Sequence, residues 1–407
     1  MVQSADEARL LIYSQDGLGL GHQRRTTHVA NEFLRAHPGA SVLTVSDSPL
    51  GRFFASSGTH DYLKLPSLRR AGPGLWRPLS LASPFDDVLA LRRDLIRVAA
   101  QRFRPDILLV DHHMPNGLMG ELLPALEAVR TTPARVVLGL RDILDAPETV
   151  QRRWRLEGAF EAIERHYDDV LVFGSREVYD LAAEYDWPEV AARRLRYCGY
   201  VGAAPSPTSA AEIRRIYLRE ETGPLVLALG GGGADAYPLF DALLRSVPAL
   251  LARRRCTFVL ITGPLLPKAE RLRLLSRARD LPVHVLTRVD DATPYVGAAD
   301  LVVAMAGYNT AVEILSQQTP ALLVPRSGPS AEQQMRARSF AERGWVHWLP
   351  PDQLAAQALA AAAATILAGS APTPASAPDL GGREVVVERL RSGLGHVRQA
   401  AGALVEG

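Results

Sequence analysis

Residues 301–337 place the tightest limit on what this chain can fold into. They read Leu-Val-Val-Ala-Met-Ala-Gly-Tyr-Asn-Thr-Ala-Val-Glu-Ile-Leu, then Pro-Ala-Leu-Leu-Val-Pro, then Glu-Gln-Gln-Met-Arg-Ala. An apolar run of strand length meets a glycine turn, and a helical period follows. A second apolar run stops at Pro325, and Glu332-Gln333 opens another helical period. Strand, crossover helix and strand make a parallel unit, because parallel neighbours need a long connection. The turn at Gly307, Glu313 and the Glu332-Gln333 pair then sit at the carboxyl ends of parallel strands. Ligands of open α/β sheets bind at that edge.

The same alternation runs through the rest of the chain and predicts a doubly wound α/β fold. In the first half the apolar runs predict strands near 9–14, 41–45, 106–110, 135–140 and 169–173. Helical periods fall near 22–36, 88–101, 117–129, 150–166 and 176–185. Segment 66–87 is rich in Pro, Gly, Ser and Arg around Trp76 and is expected to be an irregular functional loop. The pattern lapses at 201–210, which suggests a linker. A second series follows, with strands near 224–229, 257–262, 282–287, 300–304 and 320–324. Its helices lie near 236–252, 268–278, 309–317, 331–342 and 352–368. Residues 369–381 are a second flexible connection, and a last helix near 383–397 packs back on the body. The expectation is two Rossmann-like domains facing each other across a cleft. Their bounds are 1–203, a linker at 204–222, 223–382, and a helix and tail at 383–407.

The first strand ends in Asp16-Gly17-Leu18-Gly19-Leu20-Gly21-His22 and turns into a helix. Glycines there let a backbone approach a ligand, and a helix start favours negative charge. A dinucleotide fingerprint wants a third glycine where His22 stands, so His22 is better read as a general base or as a donor to an oxyanion. Arg24 and Arg25 follow. They can bind phosphate or an acidic acceptor, or be solvated. Strand 106–110 ends in Asp111-His112-His113, and strand 135–140 ends in Arg141-Asp142. Asp111 with His112 or His113 can form a base and its orienting partner. Arg141 can join a structural ion network. Adjacent histidines also suit a metal, but no third ligand is evident, so no metal site is expected.

In the second half, Gly230 to Gly233 stand where a strand becomes a helix. Such bare amides can cradle a pyrophosphate. Thr262-Gly263-Pro264 makes a small-residue turn at the same edge. Asn309 or Thr310 can cap the helix after Gly307. Glu313, read as lying in its first turn, suits either the helix dipole or two ribose hydroxyls. Glu332 and Gln333 suit either a capping device with Ser330 or sugar hydroxyls.

Bulk properties narrow the classes. A net charge of +2 over 407 residues gives no nucleic-acid footprint. Cys198 and Cys256 are the only cysteines, too few for a disulfide framework. There is no basic-then-apolar leader and no apolar run of about 18 residues, which predicts a soluble cytoplasmic protein. The arginines at 69–77 and 92–104 allow a peripheral membrane contact or a solvated helix face.

Over most of 223–345 the chain resembles the C-terminal domain of the GT-B glycosyltransferases related to MurG, the family 28 group. Gly307, Thr310, Glu313, Pro320, Pro325, Gln333 and Arg336-Ala337 fall in the family's order. The loop ending in Gly21-His22 resembles the family's N-terminal glycine-rich loop. Gly-Leu-Gly-His-Gln-Arg-Arg at 19–25 and Gly-Leu-Arg-Asp at 139–142 resemble a group of predicted bacterial glycosyltransferases. The chain departs from the family at Ala306, which stands for a common Ser, in its all-glycine loop, and at Arg336, which stands for a frequent Asn.

This resemblance implies a donor domain at 223–382 for a nucleotide-diphosphate sugar, with a UDP-sugar expected. Gly231, Gly232, Gly233 and the Gly307 turn, with Asn309 and Thr310, would hold the diphosphate. The backbone of Val289 would contact the base, Glu313 the ribose, and Glu332 with Gln333 the sugar. The N-terminal domain would bind a small-molecule, glycolipid or polysaccharide acceptor. Gly19, Gly21, Arg24, His112, His113 and Arg141, with segment 66–87 and Trp76, are expected to line it, and His22, or Asp111 through a neighbouring histidine, to take the acceptor proton. Transfer is expected to invert the anomeric carbon and to need neither metal nor cofactor. The alternatives are a nucleotide-sugar 2-epimerase of the same fold and a non-catalytic nucleotide-sugar-binding regulator.

Overall fold

The computed structural model of the chain describes residues 7–16, 20–50, 58–72, 75–203, 208–218, 223–369, 376–392 and 394. The chain divides into two compact units. One comprises Met1–Val201 with Asp379–Gly407, and the other Gly202–Pro378.

The first unit opens with β1 (Arg9–Ser14), α1 (Gly21–Ala36), β2 (Ser41–Ser46) and β3 (His60–Lys64). A hairpin of β4 (Leu68–Gly72) and β5 (Leu75–Pro78) precedes α2 (Phe85–Phe103), β6 (Ile107–Asp111), α3 (Leu123–Arg130) and β7 (Arg135–Arg141). Then come α4 (Pro147–Leu156), α5 (Ala159–His166), β8 (Asp169–Phe173), α6 (Leu181–Glu184), α7 (Glu189–Ala192) and β9 (Leu195–Tyr197). Seven strands make one sheet in the order β3-β2-β1-β6-β7-β8-β9, and each of its pairings is parallel. The five residues of β6 are all buried, as a strand covered on both faces must be.

The second unit begins with α8 (Ala210–Leu218), β10 (Leu225–Leu229), α9 (Tyr237–Leu251), β11 (Thr257–Ile261), α10 (Lys268–Ala278) and β12 (Val283–Leu286). It continues with α11 (Thr293–Ala298), β13 (Leu301–Ala304), α12 (Tyr308–Gln317) and β14 (Ala321–Leu323). It ends with α13 (Glu332–Glu342), β15 (His347–Trp348) and α14 (Ala356–Leu367). Its six strands run β12-β11-β10-β13-β14-β15, again all parallel. The final helix, α15 (Gly382–Ser392), returns to the first unit and packs on α1.

Several elements differ from the sequence expectation. Segment 66–87 is not wholly irregular, since β4 and β5 pair antiparallel within it. Leu68 is buried with Val88 and Leu118, and Trp76 packs against them. Isolated apolar residues among arginines gave no period to read. The expected linker at 204–222 contains α8, which buries Ile213 and Leu218. The helix expected at 150–166 breaks at Gly158, whose φ is +63°. The helix expected at 176–185 shrinks to α6. Strands β3, β9 and β15 were not anticipated, because edge strands that stay partly exposed carry no continuous apolar run.

The first sheet is braced by a buried ion cluster. Arg92 on α2 is fully buried. Its Nε donates to Glu121 Oε2 and its Nη2 to Glu121 Oε1, both at 2.6 Å. Its Nη1 reaches Asp47 Oδ2 at 3.2 Å and the Pro66 carbonyl at 2.5 Å. Tyr13 Oη donates to Glu121 Oε1, and burial beside Glu121 holds that phenol well above its ordinary value. A forked guanidinium suits this geometry as no lysine would. Replacing Arg92 with Met strands two buried carboxylates, so urea denaturation should show a loss of about 3–5 kcal/mol. A loss under about 1 kcal/mol would mean the cluster is not a brace.

Candidate functional site

The carboxyl edge of the first sheet gathers three carboxylates. Asp111 ends β6 and is fully buried. In register it lies between Ser14 of β1 and Gly139 of β7. His22, in the first turn of α1, sets its Nδ1 2.8 Å from Asp111 Oδ1. Arg25, one turn on, donates from Nε to Oδ2 at 2.9 Å and from Nη2 to Oδ1 at 2.5 Å. Arg25 and His22 hold the Asp111 carboxyl down at about 2, against the desolvation that would raise it. Asp111 is therefore ionised at neutral pH and can only accept. His22 Nδ1 must carry the proton between them, so in the neutral ring the lone pair is on Nε2. The His22 side chain is 21% exposed, enough to meet a ligand.

Asp16 closes the start of α1. Its carboxylate accepts from the amides of His22, at 3.1 Å, and of Gln23. Its own amide donates to Asp47 Oδ1 at 2.7 Å. These amides are thus used by the chain itself, which corrects the expectation of an anion at that helix start. Asp47, just past β2, joins Arg92 and the Asp16 amide.

The other expected residues of this edge separate in role. His112 does not pair with Asp111, because adjacent strand positions point to opposite faces. It is buried, with Nδ1 within hydrogen-bond reach of Met114 N and O. Burial, with His22 nearby, lowers it to about 3. His113 Nε2 faces Arg153 Nη1 at 2.9 Å and is likewise lowered by burial. Arg141 Nη2 donates to the Leu144 carbonyl at 3.0 Å. Gly21 is exposed and Arg24 half-buried, while Gly19 lies outside the described residues. Arg25, weighed only as a ligand contact or a solvated cation, is 2% exposed. Its signal was its spacing, since position i+3 from His22 shares that residue's helix face.

In the second unit the Gly230–Gly233 loop packs on the Thr262-Gly263 turn. A Cβ on Gly233, whose φ is +96°, would come within 2.4 Å of the Thr262 carbonyl. By contrast, a Cβ on Gly231 or Gly307 would meet nothing within 4 Å. Both glycines therefore border open space at the sheet edge. Helix α12 starts at Tyr308 with Gly307 as its N-cap and no side-chain cap, so neither Asn309 nor Thr310 caps it. Glu313 is the sixth residue of that helix and is buried, a turn deeper than expected from the sequence. Val289 is half-buried on the loop after β12.

Glu332 is buried, with Oε2 2.9 Å from Arg336 Nη1 and Oε1 3.6 Å from Arg326 Nη2. Gln333 Oε1 accepts from the Arg326 amide at 3.3 Å. Arg336, fully buried, also donates to the Ala306 carbonyl at 2.9 Å and stacks over Tyr308. The Arg at this departure from the family thus ties α13 to the glycine turn. Arg326 Nη1 reaches Asp235, just past the four-glycine loop, at 2.9 Å.

Two Rossmann-like units of this kind are the GT-B fold. Residues 226–378, most of the second unit, match the Glycosyltransferase family 28 C-terminal domain. An uncharacterized glycosyltransferase of Methanosarcina mazei is 31% identical over 147 residues, 35% of each chain. The UDP-N-acetylglucosamine--N-acetylmuramyl-(pentapeptide) pyrophosphoryl-undecaprenol N-acetylglucosamine transferase of Aromatoleum aromaticum is 32% identical over 174 residues. That match covers 41% of this chain and 46% of the relative. The chain thus matches between about a third and a half of the length of these two relatives.

Across the whole chain the likeness is one of fold. Acinetobacter baumannii MurG superposes with a TM-score of 0.52 at 15% identity, covering 98% of this chain and 99% of that one. A Listeria monocytogenes protein described as a putative UDP-N-acetylglucosamine 2-epimerase gives 0.62 at 13% identity, covering 94% and 95%. Among the described residues, no helix is long and apolar enough to cross a membrane.

Burial raises the Asp16 carboxyl from its ordinary 3.8 to about 6. Between those values the folded chain keeps a proton that the unfolded chain has lost. The stability from that proton is full below the unfolded value and is lost as pH rises to about 6. Measured by urea denaturation against D16N, wild-type stability should fall by about 1.4 kcal/mol per pH unit across this window. A constant difference between the two proteins would show Asp16 ionised throughout.

Proposed function

We propose that this chain transfers a sugar from a nucleotide-diphosphate donor, a UDP-sugar, to an acceptor hydroxyl, with inversion and without a metal or cofactor. The observation that carries the reading is the His22–Asp111 pair at the edge of the first sheet, in a chain whose residues 226–378 match the family 28 C-terminal domain. His22 Nε2 takes the acceptor proton as the hydroxyl attacks the anomeric carbon. Ionised Asp111 keeps the imidazole in the needed tautomer and stabilises the imidazolium that forms. The bond to the donor diphosphate breaks, and its charge is met by the Gly231, Gly232 and Gly233 backbone and by the amides opening α12. Asn309 and Thr310 flank that diphosphate, Val289 meets the base, Glu313 takes the ribose hydroxyls, and Glu332 and Gln333 lie by the sugar. Gly21, Arg24, His112, His113 and Arg141 border the acceptor, which is a small molecule, glycolipid or polysaccharide.

The activity named for the Aromatoleum aromaticum relative, which uses UDP-N-acetylglucosamine, supports a UDP-sugar as donor. The epimerase likeness is one of fold alone. The test is incubation with labelled UDP-, dTDP- and GDP-sugars, with and without cell extract. Transfer to a product, or slow donor hydrolysis, is expected. Conversion of the free donor to its epimer would overturn the transferase in favour of the epimerase. Tight binding without turnover, unchanged in H22A, would favour a regulator.

Two substitutions test the residues. H22A and D111N should each lower kcat by about 100- to 10,000-fold, with little change in donor KM. E313A should weaken donor binding by calorimetry about tenfold or more, the loss of a charged hydrogen bond. Unchanged affinity would remove Glu313 from the ribose.

A further inference from the structure

We propose that Arg25 is a positioning residue that fixes the Asp111 carboxylate so that it orients the His22 imidazole. The inference rests on the transferase reading for its meaning, but its test does not need turnover.

The geometry is specific. Asp111 Oδ1 is shared by His22 Nδ1 at 2.8 Å and Arg25 Nη2 at 2.5 Å, while Oδ2 takes Arg25 Nε at 2.9 Å. The fork fixes the plane of the carboxylate, so Oδ1 has one direction in which to meet the imidazole. Arg25 Nη2 also lies 3.2 Å from His22 Nδ1. Arg25 itself is seated over the Phe173 ring, 5.3 Å from its centroid. That ring occupies the space where a side chain on Gly139 would stand, because a Cβ there would meet Phe173 Cζ at 2.6 Å. Gly139, Phe173, Arg25, Asp111 and His22 therefore form one packed series across β7, β8, α1 and β6.

The experiment pairs crystal structures of wild type, R25Q and R25K with transfer kinetics, all on the full chain. Both substitutions lose the fork, and lysine keeps the charge. In both variants the Asp111 carboxylate should turn, and its Oδ1 should leave hydrogen-bond range of His22 Nδ1, from 2.8 Å in the wild type. In transfer assays R25K should lose about tenfold in kcat with donor KM unchanged, through misorientation alone. A His22–Asp111 contact unchanged in R25K overturns the proposal, and so does a kcat equal to wild type. R25K decides the matter if R25Q does not fold. Absence of transfer with every donor in the wild type would defeat the functional reading and leave the geometry readable.

Discussion

Burying a carboxylate at the end of a parallel strand is costly unless cations or amides receive it, and the first unit is arranged around that requirement. Asp111, Asp47 and Asp16 all lie at or just beyond the carboxyl ends of β6, β2 and β1, and each is buried. Asp111 is met by Arg25 and His22, Asp47 by Arg92 and the Asp16 amide, and Asp16 by the amides that open α1. These contacts dictate where α1 begins, how α2 lies on the sheet and where the segment before β4 is anchored. His22 owes its position to them. It projects from a helix start closed by one aspartate toward a second aspartate fixed by an arginine.

The second unit uses backbone where the first uses side chains. Its glycine turns pack so closely that Gly233 and Gly263 have carbonyls within about 2.5 Å of any added Cβ, while Gly231 and Gly307 face open space. Bare amides and small turns suit a ligand whose charge is spread over a diphosphate. Around them, Arg336, Glu332 and Arg326 tie α13 and the loop before it to the turn at Ala306 and to Asp235. The family's frequent Asn could not span this distance and carry the same charge. A substitution that looks like a loss in sequence is an internal brace in the fold.

How much was legible depended on whether a residue's partner is local. The long strands and helices, the glycine turns and the presence of His22 on a helix start follow from patterns within a few residues. The hairpin at 68–78, the break at Gly158 and the edge strands were not legible. Their burial comes from segments remote in sequence, as Leu68 meets Val88 and Leu118. The pairing of Asp111 was misjudged for the same reason. Its neighbours in sequence are histidines, while its neighbours in space are 86 and 89 residues away. Arg25 read as an arginine at a helix start, unfavourable for the dipole, and only the buried carboxylate explains it.

The sequence by itself determined the class of the fold, two parallel α/β series, and the strand–turn–helix order of the residues from Gly307 to Gln333. Hydrophobic periodicity and glycine turns are local, and local physics settles them. The tertiary structure alone decided which charges meet. Only the parallel register of β1, β6 and β7 brings Asp111 beneath α1. Once there, desolvation makes it accept both His22 and Arg25, and the imidazole is held in one orientation.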